Sequence, residues 1–417
     1  MNSYPEYKDS RIDWVGEIPV HWKSIKPKYI LNRVTRPIDD DDDVVTCFRD
    51  GVVTLRKNRR EDGFTTSIKE HGYQQIHSGD LVVHEMDGFS GAIGISDSKG
   101  KSTPVYTVIE PDGKTDLRYI VYLLREMSKT GKIESLARSI RERTTDFRWG
   151  MWSTIDFCFP PLHEQILISK FLDKKTSQID SLIEKTQQKI LLLKEQRTSL
   201  INQCVTKGLD PNVEMKDSGI EWIGEIPKHW KVSKLKFEVD FFNNLRSPLS
   251  SEERSTRQGQ YRYYGSTSVI DYIDDYNYDG EYILIAEDGG NLVLRNIRLS
   301  FIVTGKFWVN NHAHVLNTKE HVLNVYFCEL LELTDYSIYI SGSAQPKLTF
   351  ENISNIPIIV PPNQEVKTIS SRLEVISKNF MTILDKQNHR VNLLKEYRQS
   401  LISNVVTGKV RVTEDMI

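Results

Sequence analysis

The stretch "WVGEIPVHW", Trp14 to Trp22, returns as "WIGEIPKHW", Trp222 to Trp230. Internal repeats decide an architecture before any local motif does. A second phrase repeats further along: "FPPLHEQ", Phe159 to Gln165, is answered by "VPPNQEV", Val360 to Val366. At the same spacing "LKEQRTSLINQCVT" from Leu193 matches "LKEYRQSLISNVVT" from Leu394. Between the phrases, "GDLVVHEMDG" (Gly79 to Gly88) lines up with "GEYILIAEDG" (Gly280 to Gly289), each reading as a buried strand that ends in an acidic-Gly turn. The unit is a Trp-box, a mixed globular segment, Pro-Pro and a long helix, used twice. The globular interiors diverge: "LRKNRRE" of the first has no counterpart in "QGQYRYYGSTS" of the second. One skeleton with two contents suggests two versions of one tool for two targets.

Neither Gly nor Pro occurs from His163 to Thr206 or from Asn363 to Thr407, and Gly208 and Gly408 follow. Such runs predict helices. Apolar residues recur every seven positions at Leu172, Ile179, Leu193 and Leu200, and at Leu373, Phe380, Leu394 and Leu401. That is a coiled-coil seam. At ~1.5 Å per residue each helix would be a rod of roughly 65 Å. Connectivity favours an antiparallel pair with one globular domain at each end. Thr186 and Gln387 are the polar residues of the central rung and are expected to fix register. The expected fold is α/β (α+β) domains in tandem, joined by two long antiparallel coiled-coil helices in a pseudo-twofold repeat. The expected boundaries are 1–160 for the first recognition domain, 161–208 for the central helical spacer, 209–361 for the second recognition domain and 362–417 for the C-terminal spacer and tail.

Composition limits the function. The 417 residues contain 39% hydrophobic side chains, enough for real cores, and a formal charge of −2. A free-standing nucleic-acid binder usually carries a basic excess, so any nucleic acid should be met through local patches or beside partners. The four cysteines lie far apart, which favours reduced thiols and gives no zinc framework. The absence of an apolar leader or span predicts a cytoplasmic protein without a membrane partner.

The preamble "KDSGIEWIGEIPKHW", the PP-x-x-E entry to each helix and "SGSAQPKLTFENISNIPIIVPP" together resemble the specificity subunits of type I restriction–modification systems. The resemblance covers essentially the whole chain in the family's order. It implies a chain that reads DNA and performs no chemistry, each recognition domain taking one half of a split, asymmetric double-stranded site. It also implies two adenine-N6 methyltransferase subunits and restriction/translocase subunits as partners, with S-adenosylmethionine, ATP and Mg held by those partners and no cofactor on this chain. The residues agree at one point: "FPPL" and "VPPN" lack the polar residue and the aromatic that would grip a flipped adenine, and no G-x-x-x-x-G-K-[ST] loop is present.

DNA contacts need cations for phosphates and forked polar groups for base edges. In the first domain Lys57, Asn58, Arg59 and Arg60 form the densest run, and Arg143 and Arg148 belong to "RSIRERTTDFRW" with Arg138 and Arg141. In the second, Ser266 and Thr267 follow an aromatic strand in which Tyr263 and Tyr264 are read as structural. Asn310 and Asn311 of "NNHAH" and Gln345 and Lys347 of "SAQPKL" complete the set, with the alternative that Gln345 ties a loop to the domain body. No catalytic or metal site is expected. Glu287 and Asp288 read as a turn, and His312 and His314 lack a third ligand at suitable spacing. The acidic run Asp39 to Asp43 reads as a solvated loop or a surface for a basic partner. Two rivals stand beside this reading: a nuclease using Glu287 and Asp288, and a scaffold whose globular segments bind proteins.

Overall fold

The computed structural model describes residues 3–59, 71–136, 147–318, 320–342 and 345–417. It divides into two compact units, Met1–Thr186 with Arg390–Ile417, and Gln187–His389.

In the first unit a hairpin of β1 (Tyr7–Asp9) and β2 (Glu17–Pro19) carries the first Trp-box. β3 (Lys23–Ile25) pairs antiparallel with β12 (Phe157–Phe159). Between them β4 (Asn32–Val34), β8 (Leu81–His84), β9 (Ile93–Ile95) and β11 (Tyr106–Glu110) form a sheet of order β4-β11-β8-β9. Two small ribbons, β5 (Val45–Cys47) with β6 (Val53–Leu55) and β7 (Gln74–Ile76) with β10 (Gly100–Ser102), pack on it through Val45, Cys47, Val53 and Ile76, which share a core with Val82 and Val108. Helix α1 (Leu117–Lys129) starts at Asp116, whose carboxylate accepts from Arg118 N, and buries Tyr119, Ile120, Leu123, Leu124 and Met127.

Helix α2 (Leu162–Lys207) gives its first part to this unit and the rest to the second. The second unit repeats the plan. β13 (Met215–Asp217) pairs with β14 (Glu225–Pro227), and β15 (Lys231–Lys234) with β22 (Pro357–Val360). The remaining strands are β16 (Asp240–Phe241), β17 (Gln258–Tyr264), β18 (Val269–Ile273), β19 (Tyr278–Ala286), β20 (Ser300–Val309) and β21 (Ala313–Asn317), in one sheet of order β16-β21-β19-β20-β17-β18. Its first four places correspond to β4-β11-β8-β9, and β17 and β18 are additions. α3 (His321–Leu333) takes the place of α1, and α4 (Asn363–Val406) is the second long helix. The divergent sequence therefore lies in what is attached to a common four-strand core.

Each unit closes on segments of both long helices. In the first, Ile168, Phe171, Leu172 and Ile179 of α2 share a core with Leu401, Ile402, Val405 and Val406 of α4, and Arg398 holds Asp180 at 2.8 and 3.1 Å. In the second, Ile201, Cys204 and Val205 share a core with Val366, Ile369, Leu373 and Ile376, while Arg197 donates to Ser377 at 3.2 Å. The heptad residues face these cores as their spacing predicts. Thr186 is buried and returns its hydroxyl to Leu182 O at 2.7 Å. Gln387 buries its side-chain oxygen with no hydrogen-bond partner among the described residues.

The repeated phrase is the joint of each unit. Trp22 is fully buried, and its indole donates to Glu164 Oε2 at 3.0 Å. Glu164 is the carboxylate of PP-x-x-E at the head of α2, and it also takes His21 at 2.6 Å and Tyr4 at 3.0 Å. The tail of α4 arrives beside them, where Gly408 turns the chain at φ +76 against Pro19 and Trp22. In the second unit His229 meets Glu365 at 2.7 Å, and Gly208, φ +75, turns α2 against Trp230 and Glu365. The Tyr119 hydroxyl lies within hydrogen-bond distance of Cys158 O and Val406 O, and that of Tyr326 of Ile359 O and Val205 O, so equivalent tyrosines tie the strand before each Pro-Pro to the end of a long helix. Among the described residues no helix is long and apolar enough to cross a membrane.

Candidate nucleic-acid interface

In the second unit Ala286, the last residue of β19, pairs with Ala313, the first of β21. The flanking residues Glu287 and His312 are thereby neighbours, and Glu287 N donates to His312 O at 2.9 Å. The 345–348 segment runs along the same edge: Leu348 N donates to Glu287 O at 2.7 Å and Gly289 N to Pro346 O at 3.0 Å. Ser266 Oγ closes the group on Asp288 O at 2.8 Å. The sheet thus gathers at one edge four stretches that are far apart in sequence: the Gly-Ser-Thr turn, "EDGG", "NNHAH" and "QPKL". Ser266 and Thr267 are half-buried, Asn310 is buried with its amide oxygen on His312 N at 2.8 Å, and Asn311, Gln345 and Lys347 are exposed. Tyr263 and Tyr264 are buried, as structural residues should be.

The charges pair in a definite order. Glu287 is nearly buried, and one oxygen takes Arg246 at 2.5 Å while the other takes Lys347 at 3.2 Å. Burial pushes its carboxyl up, but the hydrogen bond and charge of Arg246, with the hydrogen bond from Lys347, outweigh that and hold it below the usual range. His314 is fully buried, and burial lowers its pKa, so the ring is neutral. Its tautomer follows from its partners: Nε2–H donates to Leu348 O at 2.8 Å and Nδ1 accepts from Asn243 at 3.0 Å. Asp288 receives His312 Nδ1 on both oxygens, at 2.8 and 2.9 Å. Both carboxylates of the edge are therefore committed to side-chain partners, and among the described residues no group of three His, Cys, Asp or Glu is placed to hold a metal ion. What faces outward is an amide, an amine and an imidazole edge. Those groups suit base edges and phosphates.

The first unit builds the same edge with other residues. Glu85 N donates to Val105 O at 2.9 Å and Phe147 N to Glu85 O at 3.0 Å, the scheme seen around Glu287. Thr107 stands where His314 does and donates to Glu85 at 2.9 Å. Glu85 is thus the structural counterpart of Glu287, one residue away from the sequence match, which sets Met86 against Glu287. Strand pairing, which the match could not see, decides the register.

Lys57 and Asn58 lie on a short turn, Arg56–Asn58, after β6, and Arg59 caps it. All three are exposed and locally tied: Lys57 to Asp43 at 2.5 Å, Asn58 to Thr54 at 2.9 Å, and Arg59 to Asp50 at 2.5 and 2.9 Å while its guanidinium lies 4.3 Å from the Phe48 ring centre. Arg59 also lines a cleft of about 720 Å³ with Phe48, Arg49, Arg56 and His84. Arg148 is exposed before the turn Trp149–Trp152. Arg60, Arg138, Arg141 and Arg143 lie outside the described residues. In the acidic run Asp39 meets Lys99 at 2.9 Å and Gln75 at 2.9 Å, so part of it is engaged within its own unit. Sequence reasoning missed Arg246, whose stretch "NNLRSPL" matches no motif, and the cleft residues Arg49 and Arg56, which no spacing singles out.

Residues 227–393 match the type I restriction modification DNA specificity domain, a span that contains the whole second edge. A type I restriction enzyme specificity subunit of Methanocaldococcus jannaschii, MjaVIII, is 25% identical over 284 residues, 63% of this chain and 64% of that protein. A candidate specificity subunit of Haemophilus influenzae is 38% identical over 124 residues, 30% of this chain. The chain is similar to type I specificity subunits, and residues 227–393 match their DNA specificity domain. The match to the Haemophilus relative spans only 31% of that protein's length. Among solved structures, a chain from a study of complex assembly and conformational transition of the type I R-M system aligns with TM-score 0.63 at 13% identity, covering 94% of this chain and 99% of that one. The HsdS subunit from Thermoanaerobacter tengcongensis aligns with TM-score 0.52 at 14% identity, covering 94% and 98%. At such identity these type I structures bear on the fold, and they support the tandem arrangement across nearly the full chain.

Proposed function

We propose that this chain is the DNA-reading subunit of a type I restriction–modification complex and carries out no chemistry itself. Each unit reads one half of a bipartite, asymmetric site, and the long helices set how many base pairs between the halves go unread. Two methyltransferase subunits and the restriction/translocase subunits supply catalysis, with S-adenosylmethionine, ATP and Mg bound on them. The observation that carries this reading is a duplicated frame with non-duplicated edges. The joints at His21–Glu164 and His229–Glu365 repeat, whereas the outward groups beside Glu85 and Glu287 do not. A scaffold for a symmetric pair of proteins would need like edges; a reader of an asymmetric DNA site needs unlike ones. A nuclease centred on Glu287 and Asp288 is disfavoured because their oxygens are held by Arg246, Lys347 and His312.

The test is an in-phase insertion in α2 of the chain assembled with its methyltransferase, followed by mapping of methylated adenines. The unread gap should lengthen, because DNA advances about 3.4 Å per base pair, while both half-sites stay the same. Altered half-sites would contradict the ruler. Given its charge of −2, the chain without partners should bind DNA weakly at physiological salt.

A further inference from the structure

His312 stands out at the second edge because its geometry is more constrained than a solvated histidine requires. Its side chain is 44% exposed, yet its ring is aimed by two contacts to one carboxylate, Nδ1 to Asp288 Oδ1 at 2.9 Å and to Oδ2 at 2.8 Å. Its backbone is fixed as well: the N–H is taken by Asn310 Oδ1 and the carbonyl by Glu287 N. Asp288 is mostly buried and is positioned in turn by Ser266 on its carbonyl and by pairing with Lys347. Among the described residues nothing bonds to His312 Nε2.

A carboxylate on Nδ1 sets the tautomer. The Nδ1–H points at Asp288, which leaves Nε2 on the outward side as the acceptor. In the major groove a single acceptor distinguishes bases that offer an amino hydrogen, adenine N6 or cytosine N4, from those that offer O6 or O4. Exposed Asn311, next to His312 in sequence, and exposed Lys347, bridged to Asp288, lie on the same edge and offer an amide and an amine for base and phosphate contacts.

We infer that His312 is a specificity-determining residue of the second unit, reading an adenine or cytosine amino group through Nε2, with Asp288 as the positioning residue that fixes its tautomer. This rests on the DNA-reading function proposed above. The first unit has no such dyad in the corresponding place: Val105 takes the backbone position of His312, and an apolar side chain cannot act as that acceptor.

The test uses the full chain co-expressed with its methyltransferase subunits, reading the methylated sequence across a genome. His312→Ala should relax the motif at one position of one half-site and leave every other position unchanged. Asp288→Asn removes the anion that keeps the proton on Nδ1 and, where the amide NH2 faces the ring, places that proton on Nε2. It should shift preference at that same position toward guanine or thymine, an outcome that mere loss of packing would not produce. His312→Gln, which retains an acceptor, should restore part of the discrimination lost in His312→Ala. An unchanged motif in the Ala and Asn variants, or loss of methylation at all sites in both, overturns the assignment. The underlying function fails separately, if the unaltered chain and its methyltransferase produce no sequence-specific methylation.

Discussion

Trp22 donates its indole N–H to Glu164 at 3.0 Å across 142 residues of sequence, whereas Trp230, at the same place in the second joint, buries its indole N–H without a partner among the described residues. The two joints share a shape and differ in how fully they are satisfied. Glu164 takes Tyr4, His21 and Trp22, whereas among the described residues Glu365 takes His229 alone.

Removing the carboxylate should therefore hurt the first joint more. Glu164→Ala leaves the buried Trp22 donor unsatisfied and should cost about 2–3 kcal/mol, against about 1 kcal/mol or less for Glu365→Ala. Urea unfolding of the two variants checks the order. Equal losses would mean that the hydrogen bonds of Glu164 contribute little.

The helix ends make a parallel case. Gly208 and Gly408 both sit in the left-handed region, so alanine at either carries strain of about 1–2 kcal/mol. At Gly408 a Cβ would also come within 2.5 Å of Pro19 Cδ, while at Gly208 the nearest atom is Glu365 Oε1 at 3.0 Å, the end of a flexible side chain. Gly408→Ala should lower the melting temperature more than Gly208→Ala.

Much of this was legible in advance. The long helices were expected from His163 to Thr206 and from Asn363 to Thr407 and span Leu162–Lys207 and Asn363–Val406. Pro, Gly and heptads are local signals that survive without tertiary context. The interface was legible only in part. Ser266, Asn310, Gln345 and Lys347 announce themselves as polar residues at turns, but their meeting depends on β19 pairing with β21 and on a segment returning along the edge. The same long-range pairing shifted Glu85 into the place of Glu287 and brought in Arg246, which nothing local marks.

Arg246 neutralises Glu287 with both side chains largely buried, 16% and 10% exposed. Arg246→Met should leave the nearly buried Glu287 with only the half-exposed Lys347 as its cation and destabilise the protein by about 3 kcal/mol. Lys347→Met, removing a half-exposed partner, should cost far less stability and weaken DNA binding instead. Chemical unfolding beside salt-dependent binding of the assembled complex separates the two effects.

His321 links Glu281 at 2.6 Å to Glu374 at 2.8 Å, and hydrogen bonds to these carboxylates, Glu374 first, raise its pKa. A raised imidazole stabilises the fold while it is protonated. That contribution is complete below about pH 6.5, the ordinary imidazole value, and fades as pH rises through the higher folded value. Since the ring is exposed, the effect should be small. Stability measured from pH 6 to 8 should fall less steeply in His321→Gln than in the unaltered chain.

The most direct measurement replaces residues 209–361 with the corresponding domain of another family member, in the chain assembled with its methyltransferase, and maps methylated adenines in the host. One half of the recognised site should change completely while the other half remains as it was. A site unchanged in both halves, or changed in both, would contradict the conclusion that each unit reads one half of the DNA target.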